Sequence, residues 1–131
     1  MFGSRAKRLG RRGEWIAMVW YILHGYRLRH RNWRAAGGEL DLVLSRGRNI
    51  IFVEVKSRSS SAFGGASAAV TLRKQRVIIR TAAAYLSRYE LWDRPLRFDV
   101  LALERRRSGF LAWDIRHIPD AFHPDPGIMA G

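Results

Sequence analysis

Cysteine is absent from this chain of 131 residues. That excludes disulfide staples and thiolate metal sites, and it is compatible with a reducing compartment. Long apolar runs are missing too. Trp15 to Leu23 is nine residues, well short of the roughly 20 that a bilayer span needs. His24, Gly25, Tyr26 and Arg27 follow it, which is not a small-residue cleavage site. The expectation is a cytoplasmic protein with no membrane association. Acids are the third scarcity. Asp+Glu is 11 against Lys+Arg 24, a net charge of +13, with a pI near 11.5. Residues 1–89 hold only four carboxylates, Glu14, Glu39, Asp41 and Glu54, among 18 Lys+Arg. Such an excess repels itself unless a polyanion is near, so nucleic acid is the expected partner; an anionic membrane surface is the bland alternative. Acids scattered for solubility would not be so few, which raises the question of whether these four converge.

What is present is enough for one domain. Apolar residues make up 47% of the chain, which argues against disorder, and the length suits one core. Residues 1–12 form a basic arm with Arg5, Lys7, Arg8, Arg11 and Arg12, expected to be flexible without a partner. Gly13 to His24 reads as a helix apolar nearly all round, hence buried, with Trp15 and Trp20 in the core and Glu14 at its start. A carboxylate there can simply offset the helix dipole. Tyr26 to Trp33 alternates Arg27, Arg29 and Arg31 with other residues, as in an exposed strand with one basic face. Leu40–Leu44 and Asn49–Lys56 read as strands joined at Gly47, and the unbroken run from Ile50 to Val53 marks a central strand covered on both sides. Ser57–Ala69 reads as a mobile loop. Thr71 is the expected N-cap of a helix reaching about Leu91, with Val77, Ile78, Thr81, Ala82, Tyr85 and Leu86 as its buried stripe. Arg97–Glu104 and Phe110–Ile118 complete the strands, and residues 119–131 read as a poorly ordered tail. The order α-β-β-β-α-β-β predicts a single α/β domain over residues 13–118, a mixed sheet with helices on its faces.

Strand geometry turns this order into a site. Side chains two apart share a face, so Glu54 and Lys56 point the same way as Ile50 and Phe52. If Gly47 and Arg48 form a two-residue turn, Arg46 opposes Asn49, and counting back sets Asp41 opposite Glu54. A bulged loop would shift that register by one. Two facing carboxylates repel unless something neutralises them, and a divalent cation accepts oxygen ligands. Asp41, Glu54 and Glu14 are the candidate ligands for Mg²⁺ or Mn²⁺. Lys56 would orient a water or stabilise charge on phosphate. A structural ion pair at a strand end is the competing reading.

Asp41, Glu54 and Lys56, spaced as D-(x)n-E-x-K, resemble the signature of the PD-(D/E)XK nuclease superfamily, although Leu40 stands where its proline would be. Gly13-Glu14, Gly38-Glu39-Leu40-Asp41-Leu42, Phe52 to Arg58, Lys74-Gln75-Arg76 and Arg97 to Val100 resemble, in that order, the YraN-like family of uncharacterised bacterial proteins. That family is similar to archaeal Holliday-junction resolvases. The resemblance implies a restriction-endonuclease-like fold and a nuclease site on Glu14, Asp41, Glu54 and Lys56. The function this adds up to is a metal-dependent DNA endonuclease, with branched or structured DNA as a substrate. A non-catalytic nucleic-acid-binding module and an RNA-directed nuclease remain as alternatives. Phosphate contacts are expected from Arg11, Arg12, Arg27, Arg29, Arg31, Arg58, Arg73, Lys74, Gln75 and Arg76. A resolvase-like role needs two sites, hence a homodimer or a partner. The four histidines lack metal-ligand spacing, Gly64-Gly65 is no phosphate loop, Trp33 packs or stacks on a base, and Asp99 pairs with an arginine.

Overall fold

The computed structural model describes residues 4–58, 70–105 and 113–124, with side chains from Gly13 in the first helix and up to Ser57 in the third strand. The elements are α1 (Ser4–Leu23), β1 (Arg27–Ala35), β2 (Gly38–Arg46), β3 (Asn49–Arg58), α2 (Leu72–Arg88), β4 (Leu96–Arg105) and β5 (Trp113–Phe122). They come in the expected order. The strands form one sheet in the sequence β1-β2-β3-β4-β5. Among the described strands only β3 and β4 run parallel, and α2 is the crossover that such a pair requires.

The sheet is covered on both faces, which is why β3 carries an unbroken apolar run from Ile50 to Val53 and β4 one from Val100 to Leu103. On one side Ala17, Met18 and Tyr21 of α1 pack on Leu42, Leu44, Ile51, Val53, Leu101 and Leu103. On the other, Ile78, Ile79, Ala82, Tyr85 and Leu86 of α2 pack on Leu40, Val43, Ile50, Phe52, Phe98 and Val100. Thr71 caps α2 as expected, accepting from the Lys74 N–H. This is the restriction-endonuclease-like α/β arrangement that the sequence predicts.

Two glycines set how close the helices come. A Cβ on Gly13 would lie 2.6 Å from Ser57 Oγ and 2.9 Å from Ser57 Cβ; one on Gly38 would lie 2.8 Å from Val77 Cγ1 and would also collide with Thr81. Bare backbone at these positions lets α1 rest on β3 and lets β2 pass under α2. Each glycine immediately precedes a glutamate, Glu14 and Glu39.

Several expectations need correction. Helix α1 begins at Ser4 rather than Gly13, so Glu14 sits inside it and does not offset its dipole. Trp15 is 56% exposed and Ile22 and Leu23 also face outward; a helix laid on one face of a sheet buries one stripe, however apolar its other side. Trp20 is only partly buried. The alternation of β1 breaks between Leu28 and His30, because Arg29 is an extra residue that bulges the strand. Helix α2 ends at Arg88, where the Tyr89 N–H bonds to the Tyr85 carbonyl, and Glu90 takes a left-handed φ of 54° that returns Leu91 to the core. Strand β5 runs on through Pro119 to Phe122, whose ring stacks on Phe98 at 5.1 Å. As an edge strand it tolerates the proline.

Asp99 is fully buried and does pair with an arginine. Arg97 Nε and Nη2 donate to it at 2.7 and 2.8 Å. The Tyr21 hydroxyl donates at 2.8 Å, His117 Nε2 lies 2.9 Å away, and the Asp120 N–H donates at 3.0 Å. The network ties α1, β4 and β5 together.

Candidate active site

The β2–β3 hairpin has the register counted from sequence. Arg46 faces Asn49 and the ladder runs back to Leu42 facing Val53. Gly47 has φ 59°, as the first central residue of a type II′ turn requires. The next pair in that register is Asp41 with Glu54, and there the ladder stops. Beyond it Leu40, Glu39 and Gly38 pair only with Trp33, Arg34 and Ala35 of β1. Glu54 to Arg58 pair with Val100 to Glu104 of β4. The sheet forks, and the acids sit at the fork. Asp41 Oδ2 accepts the Val55 N–H at 2.9 Å, so a side chain takes the place of a ladder carbonyl.

Glu14, Glu39 and Asp41 bring carboxylate oxygens within 4.8 Å of one another. Glu14 arrives from α1 and the other two from β2. Glu39 is also held by Arg34 Nε at 3.1 Å. Glu54 lies beside this triad, where it accepts a hydrogen bond from Asp41 and feels the charges of Lys74 and Lys56. Burial, then the charge of Glu54, push the Asp41 carboxyl up to about 8. Burial also raises Glu54, against the pull of Lys74 and Lys56. The pair therefore holds a proton above the ordinary carboxylate range in the absence of a cation.

The expected ligands Glu14 and Asp41 thus meet, and Glu39 joins them where Glu54 was expected. Glu39 was not singled out as a ligand from sequence, although it stands two residues before Asp41 on a strand, the spacing that shares a face. Lys56 shares the α2 face with Glu54, as its pairing with Ala102 follows that of Phe52 with Phe98. Arg27 and Arg31 on β1, and Arg73, Lys74 and Arg76 in the first turns of α2, are exposed. Arg29 is turned inward to the Tyr85 hydroxyl, and the Gln75 amide donates to the Val70 carbonyl. Trp33 packs on Tyr85. The side chains of Arg11, Arg12 and Arg58 and the Gly64-Gly65 pair lie outside the described residues. Among those described, no histidine belongs to a metal-ligand cluster.

The profile of uncharacterised protein family UPF0102 matches residues 13–103. The chain belongs to that family. Among its relatives, a UPF0102 protein of Geobacter metallireducens is 41% identical over 116 residues, covering 88% of this chain and 93% of its own length. One of Beutenbergia cavernae is 44% identical over 106 residues, covering 80% and 90%. One of Bacteroides thetaiotaomicron is 39% identical over 116 residues. The UPF0102 match begins at Gly13 and ends at Leu103, so it takes in all four fork carboxylates together with Lys56 and Lys74.

Proposed function

We propose that this UPF0102 protein is a divalent-cation-dependent endonuclease that hydrolyses phosphodiester bonds of DNA, with branched or otherwise structured DNA as its substrate. One observation carries the reading. The only four acids of residues 1–89 come from α1, β2 and β3 to a single fork in the sheet. Gathering four carboxylates in one half-buried spot sets like charges against one another unless a cation offsets them. The donors are all carboxylate oxygens, a hard set that suits Mg²⁺ or Mn²⁺.

Glu14, Glu39 and Asp41 would hold the ion, with Glu54 beside Asp41. Such an ion supplies Lewis-acid polarisation of the phosphodiester. The chain's own residues do the rest. The Val55 N–H fixes one oxygen of Asp41 and Arg34 fixes one of Glu39, so both carboxylates are oriented before substrate arrives. Lys56 and Lys74 place two positive charges around Glu54, where they stabilise the negative charge that grows on phosphate as a water oxygen adds to phosphorus and the ester P–O bond breaks. Arg27, Arg31, Arg73 and Arg76 would contact phosphates on either side. Cutting both strands of a symmetric junction takes two such sites, and so a homodimer.

Asp41→Asn tests the reading, because it removes one charge and one ligand with little change in shape. With Mg²⁺ or Mn²⁺, cleavage of a panel of duplex, flapped and four-way-junction DNA should fall by about a hundredfold or more. In EDTA, DNA binding should hold, because the Asp41–Glu54 pair already carries a proton there and the substitution changes the charge of the fork little. If the wild type cuts no DNA in the panel and binds it alike with and without metal, the protein is a binding module on a nuclease fold.

A further inference from the structure

The bulge in β1 sets two consecutive side chains, Arg29 and His30, against α2, and both meet one hydroxyl. Arg29 Nε lies 3.0 Å and His30 Nδ1 2.7 Å from the Tyr85 oxygen, and His30 Nε2 lies 3.2 Å from the Tyr89 oxygen. Chemistry gives this chain a direction. A guanidinium nitrogen only donates, so the Tyr85 oxygen accepts from Arg29. Tyr85 is fully buried. If His30 Nδ1 also donated to it, the hydroxyl hydrogen would be left in the interior without an acceptor, which native interiors avoid. Tyr85 therefore donates to Nδ1, His30 carries its proton on Nε2, and Nε2 donates to Tyr89. The Tyr89 hydroxyl then has its own hydrogen left to donate.

Two guanidinium groups lie beside the tyrosine rings. The Arg88 guanidinium lies 5.2 Å over the Tyr89 ring, and that of Arg29 lies 5.9 Å from the Tyr85 ring. The bond to Tyr85 uses one of the five N–H donors of Arg29. Trp33, packed against Tyr85 and Tyr89 at 5.1 and 6.2 Å, holds the tyrosines in place. Burial and the Arg29 charge lower the His30 pKa, which keeps the imidazole neutral and the direction fixed.

We propose that Arg29, Arg88 and the Tyr89 hydroxyl form a second anion site, a clamp for a backbone phosphate of bound DNA, with Tyr85 and His30 as positioning residues behind it. The clamp rests on the nuclease reading, which supplies the DNA. Tyr89 follows Lys74 by fifteen residues, roughly 22 Å at 1.5 Å per helical residue. That is the length of about six to seven nucleotides at 3.4 Å each along a duplex strand. The clamp would thus grip DNA well away from the bond that is cut, and would set its direction across the sheet.

The test is binding of the full chain to a labelled 20-base-pair duplex (about three times the clamp-to-fork span) in EDTA, at several salt concentrations. Arg29→Gln should weaken binding roughly fivefold or more at low salt and reduce the slope of log K against log salt by about 0.9, one phosphate. Tyr89→Phe, a partly exposed change that leaves the core packing in place, should weaken binding about threefold with the slope unchanged, because it removes a neutral donor. Nitrogen NMR should find His30 protonated on Nε2 in the free protein. If the wild type has a steep salt slope but both variants reproduce its affinity and slope, the clamp is wrong and the nuclease reading stands. A wild type whose affinity ignores salt overturns both. An Nδ1-protonated His30 overturns the chain that orients Tyr89.

Discussion

Asp41 is partly and Asp99 wholly taken out of water, and the two carboxylates respond in opposite directions. Burial pushes Asp41 up, and Glu54 adds to the effect. Burial pushes Asp99 up as well, but the bonds from Arg97, His117, the Asp120 N–H and Tyr21 outweigh it and leave Asp99 below its ordinary value. The consequences for stability are opposite too. Between the ordinary carboxylate range and about 8, the folded chain binds a proton at Asp41 that the unfolded chain has lost, so stability falls as pH rises through that window. Asp99 contributes stability that is present above its unfolded pKa, near 3.9, and is lost as pH falls through its lower folded value. Melting curves in EDTA should therefore peak at mildly acid pH and decline toward pH 8. Asp41→Asn should flatten the alkaline decline and raise the Tm at pH 8 while leaving the acid limb alone; a Tm below wild type at every pH would mean that the carboxylate is structural. Asp99→Asn should cost about 3 kcal/mol, the low end for a broken buried pair, because Arg97 is 31% exposed and keeps some water.

Helix α1 and strand β2 deliver their acids through glycine. A methyl at Gly13 would need α1 to lift from Ser57 on β3, and overpacking of this kind costs about 1–3 kcal/mol. Glu14 follows directly, so the lift would also draw it away from Glu39 and Asp41. Gly13→Ala should lower the Tm and blunt the rise in Tm that added Mg²⁺ gives the wild type; Ser57→Gly in the same chain should restore both, because it removes the two atoms that clash. If Gly13→Ala loses stability but keeps the full response to Mg²⁺, Glu14 is not a ligand. The strand half of this geometry was legible in the sequence. Gly47 fixed the hairpin register, and the register set Asp41 against Glu54. The fork was not legible, because the ladder ends where β1 and β4 draw β2 and β3 apart, and no local pattern records that competition. The bulge at Arg29 depends on Tyr85, 56 residues away. The early start of α1 was hidden by the basic run of residues 1–12, which reads as an arm, and the exposure of Trp15 by an apolar composition that does not say which stripe meets the sheet. Pro119 reads as a stop unless its strand is known to be an edge.

Charge is divided along the whole molecule. Every acid of residues 1–89 stands at the fork, and the other seven lie from Glu90 onward, where Asp93 pairs with Arg48 and Asp120 with His123. A phosphate backbone approaching the fork thus meets cations on β1 and α2 and negative charge at the centre. Under the proposed function, that centre repels the phosphate without a cation and attracts it with one. Among the described residues no helix is long and apolar enough to cross a membrane. Ca²⁺ takes the same oxygen ligands as Mg²⁺ in a looser geometry, which makes it the ion for measuring binding apart from cleavage. Adding Ca²⁺ to the wild type should tighten DNA binding about tenfold, a coupling of roughly 1.4 kcal/mol. Linkage makes the effect reciprocal, so saturating DNA should lower the Kd for Ca²⁺ by the same factor. Asp41→Asn should lose most of this coupling while binding DNA in EDTA at least as well as the wild type. The salt slope should stay steep in both, since it counts the phosphates met by arginines and lysines outside the fork. Calorimetry of Ca²⁺ binding with and without DNA decides the matter: equal Kd values in the two titrations would mean that cation and phosphate do not share the fork.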